Sequence, residues 1–341
     1  MSEKKKVTGK TVKILLLSVV ILVAVAIVAG TLFVNSTLNR ISRPDVEAET
    51  ITQEEIEQIL AETDPVEENV GIVLEEDEIV LETAPAEVIE KEDTVVNILL
   101  IGQDRRSDHG RARSDTMLLC TINKDKKTLV MTSFLRDIYI NLPEFNGRQY
   151  GGNRLNVPYA IGGMEMLDQA LLENFGVEVD HNVEVDFSGF EQVIDAMGGV
   201  EVTLTGGEAY IVGGGARTGE NLLNGKQALE YARIRALDND FGRTERQRKV
   251  ITALLDKAKS LTLTELVDVA NAVFPIFTTD MTNGEIITYV TEFFPILMDL
   301  QVTTQSVPMD GEYYFANIAG MSVLAVDFEK VNQRLAETLG S

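Results

Sequence analysis

Tryptophan is absent from this 341-residue chain, cysteine occurs once and histidine twice. The single Cys120 excludes an internal disulfide, and its apolar run (TMLLCTI) predicts a small core residue. With only His109 and His181, neither a Ser-His-Asp triad nor a His-rich zinc site is expected. Lysine tracts interleaved with stacking aromatics are missing as well, so no nucleic-acid partner is expected. No internal repeat is present.

Acid is abundant but unevenly placed. The net charge is −24, yet Pro44 to Asp93 holds 19 Asp and Glu against the single Lys91. Arginine is uneven in the opposite sense, with 13 of its 16 copies between Arg105 and Arg248. An acidic leader therefore joins a body with an Arg-rich centre. Ahead of the leader, Ile14 to Val34 is a run of 21 residues without a charge, about 31 Å as a helix and enough to span a bilayer. It exceeds the apolar core of a cleavable signal, which predicts an uncleaved anchor. Five lysines precede it and only Arg40 and Arg43 soon follow, placing the N-terminus in the cytoplasm and the rest outside. The expected organisation is a basic cytoplasmic tail (1–13), a transmembrane signal anchor (14–34), an acidic extracellular tether (35–93) and an extracellular body (94–341). Ile51 to Ala61 has the pattern of one short amphipathic helix; charge runs such as Glu75 to Glu78 make the rest a self-repelling tether.

In the body, strand patterns at Val95 to Ile101, Thr116 to Ile122, Thr128 to Phe134, Ile138 to Leu142, Val183 to Phe187, Val200 to Leu204 and Val302 to Pro308 alternate with helical ones. Helices are expected at Gly162 to Phe175, Ser188 to Met197, Leu263 to Phe274, Asn283 to Met298 and Asp327 to Leu339. This interleaving predicts an α/β fold, a mixed central sheet flanked by helices on both faces. Leu223 to Val250 is the focus of the body, with Arg233, Arg235, Arg243, Arg246 and Arg248 in sixteen positions. A helix ending near Tyr231, then an extended Arg233-Ile234-Arg235, would put two guanidinium groups on one face. After a turn at Asp238-Asn239-Asp240, a second helix would carry Arg243, Arg246 and Gln247 along one side. Guanidinium groups match phosphate oxygens bidentately, which suggests a diphosphate ligand; a salt-bridged helix face is the alternative for the same residues. Polar clusters at strand ends add Asp104, Arg113 with Asp115, and Arg136-Asp137. Asp104 and Asp115 suit a hard cation such as magnesium, which typically takes one or two carboxylates plus substrate phosphates.

These stretches resemble, in order, the signatures of the LytR-CpsA-Psr family. They are Asn97 to Asp104 (NILLIGQD), Arg113 to Thr116 (RSDT), Arg136-Asp137, Asn153 to Gly163 (NRLNVPYAIGG), Val185-Asp186-Phe187 with Gly189-Phe190, and Leu223 to Gln247. The resemblance covers about Val95 to Leu255. It implies a membrane-anchored phosphotransferase that moves a glycopolymer from a polyprenyl phosphate or diphosphate carrier onto peptidoglycan with Mg2+. The implied fold is an α-β-α body with an apolar pocket for the lipid tail. By motif, the metal carboxylates fall on Asp104 and Asp115, and the head-group residues on Arg113, Arg136, Arg233, Arg235, Arg243 and Gln247. Arg113, Arg136 and Asp137 are the implied catalytic group, with Asp137 favoured over Asp115 to accept the hydroxyl proton.

Three departures stand out. Leu135 replaces the proline common before the family's Arg-Asp, which predicts a less rigid loop. Arg154 stands where a lysine is usual and keeps the charge. No accessory domain separates anchor and body. Two other functions fit the same motifs: a lipid-diphosphate hydrolase, in which water attacks, and a non-enzymatic envelope regulator or attenuator.

Overall fold

A computed structural model describes residues 35–44, 51–61, 72–74, 85–103, 113–238 and 240–340. The basic tail, the apolar run 14–34 and Asp104 lie outside the described residues. Among those described, no helix is long and apolar enough to cross a membrane.

The strands are β1 (Ile72–Leu74), β2 (Val95–Gln103), β3 (Ser114–Asn123), β4 (Thr128–Phe134), β5 (Tyr139–Asn141), β6 (Gly152–Arg154) and β7 (His181–Asp186). They continue with β8 (Val200–Leu204), β9 (Gly219–Leu223), β10 (Thr278–Thr279), β11 (Gln301–Val307), β12 (Tyr313–Ile318) and β13 (Met321–Val326). The helices are α1 (Gln53–Ala61), α2 (Val157–Phe175), α3 (Phe187–Ala196), α4 (Gly206–Val212) and α5 (Gly225–Ala232). After them come α6 (Asp240–Ser260), α7 (Leu263–Val273), α8 (Asn283–Phe293) and α9 (Phe328–Leu339).

The central sheet is mixed, in the order β10-β7-β2-β3-β4-β11. Its middle strands are apolar on both sides because both sides are covered. Leu99, Ile101, Met117 and Leu119 face α2 and α9, where Leu167, Leu171, Val331 and Leu335 complete the largest core. Leu118, Cys120, Leu129 and Met131 face the other way, toward Ile251 and Leu255 of α6. Cys120 is buried, and burial pushes its thiol up to about 12, so it packs as the inert core residue expected. A second core gathers Ile194, Val200, Leu204, Leu223, Ala228, Tyr231, Ile234 and Val250 beside the sheet.

Local chemistry sets the helix limits. Pro158 opens the first turn of α2, earlier than the expected start at Gly162, and the helix bends where Gly163 takes φ 65°. Reciprocal capping boxes start α5 (Asn224 with Gln227), α7 (Thr262 with Glu265) and α8 (Thr282 with Glu285).

Two pieces of the stretch read as a tether lie against the body. The expected short helix forms as α1, and its Ile56 is buried in the main core. β1 adds to β12 in parallel, beside the β12–β13 hairpin. The acidic charge repels, but Ile56 gives α1 something to bury. Residues 35–44 are also attached: Leu38 and Ile41 are buried, and Arg43 Nη2 donates to Asn283 Oδ1 at 2.8 Å.

Candidate functional site

β2 runs parallel to β7 and antiparallel to β3, while β4 runs antiparallel to β3 and parallel to β11. The carboxyl ends at Gln103, Phe134, Asp186 and Val307 therefore share one edge with Ser114, the start of β3. Ligands of open α/β sheets bind at such edges.

The turn after β4 is pinned from several sides. Leu135 N–H donates to the Val307 carbonyl at 2.9 Å, Asn156 N–H to the Arg136 carbonyl at 3.3 Å, and Leu324 N–H to the Asp137 carbonyl at 2.8 Å. The expected loss of rigidity at Leu135 is thus corrected. Leucine makes a backbone hydrogen bond that proline has no N–H to make, and its side chain is fully buried.

Around this turn the arginines converge on Asp115. Arg136 Nη1 donates to Asp115 Oδ1 at 2.9 Å, and Arg235 Nη2 lies 3.9 Å from the same oxygen. Arg243 Nη2 donates to the Asp115 carbonyl at 3.3 Å and pairs with Asp240 Oδ1 at 2.7 Å. Arg136 Nε is also 3.5 Å from Asp137 Oδ2, and Arg154 Nη1 is 3.4 Å from Asp137 Oδ1. Among the described residues, four guanidinium groups here meet three carboxylates, Asp115, Asp137 and Asp240. Their charges act on one another. Burial lowers the pKa of Arg243; Asp240 opposes this, while Arg136 and Arg235 lower it further. Burial raises that of Asp240, against the pull of Arg243 and Arg136. An anionic ligand would relieve this surplus of positive charge.

The remaining expected residues are placed as follows. The extended segment expected over Arg233-Ile234-Arg235 does not include Arg233. Arg233 closes α5 in a helical conformation (φ −102°, ψ −1°), with its N–H donated to the Leu229 and Glu230 carbonyls. Ile234 is buried in the second core and its carbonyl accepts from Arg246 Nη1 at 2.9 Å. Arg233 and Arg235 therefore diverge: Arg233 stacks on Phe187, its Cζ 4.4 Å from the ring centroid, while Arg235 turns to Asp115. Phe187 follows Asp186 at the same sheet edge, so Arg233 flanks the cluster. Arg113 Nη2 donates to the Ile59 carbonyl of α1. Gln247 lies one turn beyond Arg243 and is half-buried.

Arg246 departs furthest from the expectation. Its Nε pairs with Glu208 Oε1 at 2.9 Å and its Nη2 with Asp238, so its donors are spent holding the loop after α5. Here the salt-bridged alternative holds.

Sequence reasoning missed Asp240, read only as a turn residue, although its spacing to Arg243 is that of an i,i+3 ion pair. It also missed Glu184, buried in β7, which accepts from both Tyr159 and Gln103. That pair anchors the strand end leading to Asp104. As hard-oxygen donors for a cation, Asp115 and the Asp240 Oδ2 atom are present; the latter has no hydrogen-bond partner among the described residues. Among the described residues no three metal-binding side chains gather.

Comparison with known proteins gives a consistent picture. The model of the LytR_cpsA_psr family matches residues 48–338. A curated relative from Oceanobacillus iheyensis, the polyisoprenyl-teichoic acid–peptidoglycan teichoic acid transferase TagU, is 34% identical over 260 residues, which are 73% of this chain and 77% of that protein. The regulatory protein MsrR of Staphylococcus aureus is 35% identical over 167 residues, 48% of this chain and about half (49%) of that protein's length. Among solved structures, TagT bound to LIIa-WTA is 26% identical with a TM-score of 0.60, covering 77% of this chain and 100% of that one. TagT (YwtF) with bound octaprenyl pyrophosphate lipid aligns with a TM-score of 0.57 at 26% identity, covering 77% of this chain and all of that one.

Proposed function

The chain belongs to the LytR-CpsA-Psr family, and from that premise we propose that it transfers a glycopolymer from a polyprenyl diphosphate or phosphate carrier onto peptidoglycan. The observation that carries this reading is the convergence of Arg136, Arg235 and Arg243 on Asp115 at the carboxyl edge of the sheet. Phosphoryl transfer depends on positioning and on neutralising charge at the non-bridging oxygens, and guanidinium groups supply both. In the proposed reaction a peptidoglycan sugar hydroxyl attacks the phosphorus carrying the glycopolymer. The new O–P bond forms as the bond to the bridging oxygen breaks, and the lipid leaves with the electron pair, as polyprenyl phosphate from a diphosphate carrier or as polyprenol from a monophosphate one. Asp137, aligned between Arg136 and Arg154, accepts the hydroxyl proton. Arg113 and Arg233 flank the head group, and Gln247 extends the same wall along α6. Mg2+, held by Asp115 and by Asp104 as the motif implies, would supply further neutralisation of phosphate charge.

The lipid tail is assigned to the exposed apolar residues of α8 and of the turn after it, which meet the sheet at Lys124, Lys127 and His181. No side chain of α8 or of the turn Phe294–Asp299 is buried, and Val290, Phe294 and Met298 are exposed. Such apolar residues suit contact with a polyprenyl chain better than with water. Residues 35–44, which follow the apolar run 14–34, pack against α7 and the start of α8: Thr37 Oγ1 donates to Asn271 and Arg43 to Asn283. Five lysines before that run, against Arg40 and Arg43 soon after it, support a single-pass anchor with the body on the outer face of the cell membrane.

Replacing Arg136 or Arg235 with alanine tests the reading. Polyprenyl-diphosphate binding and glycopolymer transfer should both fall, and unchanged values in both variants would contradict it. Release of free phosphorylated glycopolymer without wall attachment would instead identify a hydrolase.

A further inference from the structure

Arg248 has no role in the cluster at Asp115, yet it is only 9% exposed, and its Nε and Nη1 atoms have no hydrogen-bond partner among the described residues. Burial lowers its pKa, and Glu245 is the charge that opposes the shift. Buried guanidinium nitrogens without partners are costly and uncommon in native structures. Arg248 lies where two cavities adjoin. One, of about 530 Å3, is bounded by Phe241, Gly242, Ser306 and Tyr313 together with Glu245 and Arg248. The other, of about 800 Å3, is bounded by Glu245 and Arg248 along with Thr203, Thr252, Lys257 and Thr304. Together they form a trench along α6. Its inner end is Phe241, the residue after Asp240, so the trench leads out from the arginine cluster.

The lining indicates the occupant. Glu201, Glu245, Asp256 and Asp310 outnumber Arg248, Lys249 and Lys257, so the trench does not favour a polyanion. Threonine hydroxyls suit a hydroxylated polymer. Phe241 and Tyr313 stack with centroids 5.0 Å apart, offering flat apolar surface to pyranose rings at the inner end. The Nε and Nη1 atoms of Arg248 in the middle, without hydrogen-bond partners among the described residues, match a carboxylate.

We propose that this trench is the acceptor site for a peptide-bearing glycan, with Arg248 pairing to a carboxylate of the peptide stem. This rests on the reading above that peptidoglycan is the acceptor, and it goes further by assigning acceptor and donor to different residues. The phosphate-rich donor polymer is disfavoured in the trench by Glu201, Glu245 and Asp256.

The test uses the full chain in detergent micelles and soluble, uncross-linked peptidoglycan strands bearing peptide stems. Calorimetry should find binding of the strands about 10- to 100-fold weaker in Arg248→Ala, the usual loss for a hydrogen bond to a charged group, with partial rescue in Arg248→Lys. Thr203→Trp, an exposed position on the trench wall, should weaken binding even if Arg248→Ala fails to fold. Amidating the stem carboxyls should cost affinity in the unsubstituted protein and nothing further in Arg248→Ala. Polyprenyl-diphosphate binding, which reads the cluster at Asp115, should stay unchanged in Thr203→Trp and Arg248→Lys. Strand binding that survives both Arg248→Ala and Thr203→Trp overturns the assignment, as does a loss of teichoic acid binding in place of strand binding. Loss of lipid binding in Arg136→Ala with strand binding intact upholds both readings. Lipid binding indifferent to Arg136 and Arg235 would overturn only the donor site.

Discussion

Arg243 and Arg246 lie one turn apart on the same helix and are almost equally buried, with side-chain exposures of 3% and 4%. Their surroundings differ in kind. Around Arg246, burial pulls the pKa down, but hydrogen bonds to Asp238 and Glu208 outweigh it and leave the group raised. Around Arg243, burial wins, because Arg136 and Arg235 add repulsion that Asp240 and Asp115 do not offset. One arginine is saturated by the protein and the other is held in an excess of like charge. Burial and residue type do not separate structural from functional arginine; the balance of partners does.

The comparison breaks most visibly at Arg246. Arg246→Ala removes the counter-charge of buried Glu208 and frees the loop carrying Ile234, so a loss of about 3–5 kcal/mol in urea unfolding is expected. A loss well under 1 kcal/mol would remove the distinction. On the other side, Arg136→Ala should lower turnover by ~10²–10³ while the denaturation midpoint changes far less.

Carboxylates sharpen the same contrast. Asp240 has arginine beside it, whereas Asp168 has only an amide: Asn182 Nδ2 donates to it at 2.7 Å. Burial pushes Asp168 up to about 7 from 3.8; the Asn182 hydrogen bond lowers it, and nearby Asp280 and Glu165 raise it further. The unfolded chain gives up this proton first, so the stability it contributes is complete below about pH 4 and is lost as pH rises toward 7. Melting temperature should therefore fall by several degrees from pH 5 to pH 8, and Asp168→Asn should flatten that slope. The smallest effect concerns Cys120. Its buried thiol should resist iodoacetamide in the native protein and react after denaturation, with prompt native labelling as the contrary result.

The strands of the central sheet were legible because β2, β3 and β4 are apolar on both faces, and only a doubly covered sheet sustains such runs. The positions of Asp115, Arg136 and Arg243 at one edge followed from strand ends and helical spacing. Other features depend on distant partners. Arg243 and Arg246 have a spacing that puts them near one side of a helix, and only the position of Glu208 and the Ile234 carbonyl separates them. The same Ile234, buried in the second core, turns Arg233 away from Arg235. Arg113 reaches the Ile59 carbonyl because Ile56 docks α1 on the body, a contact spanning an acidic stretch whose charge predicted separation.

The central claim is that the arginines at Asp115 cradle the phosphates of the lipid carrier. Arg235 reads it most directly, being half-exposed and at 3.9 Å from Asp115, so its loss should disturb the fold little. Transfer of labelled glycopolymer from a polyprenyl-diphosphate carrier to purified peptidoglycan should fall ~10²–10³ in Arg235→Ala with melting temperature preserved. Transfer at the unsubstituted rate by a folded Arg235→Ala protein would contradict the account.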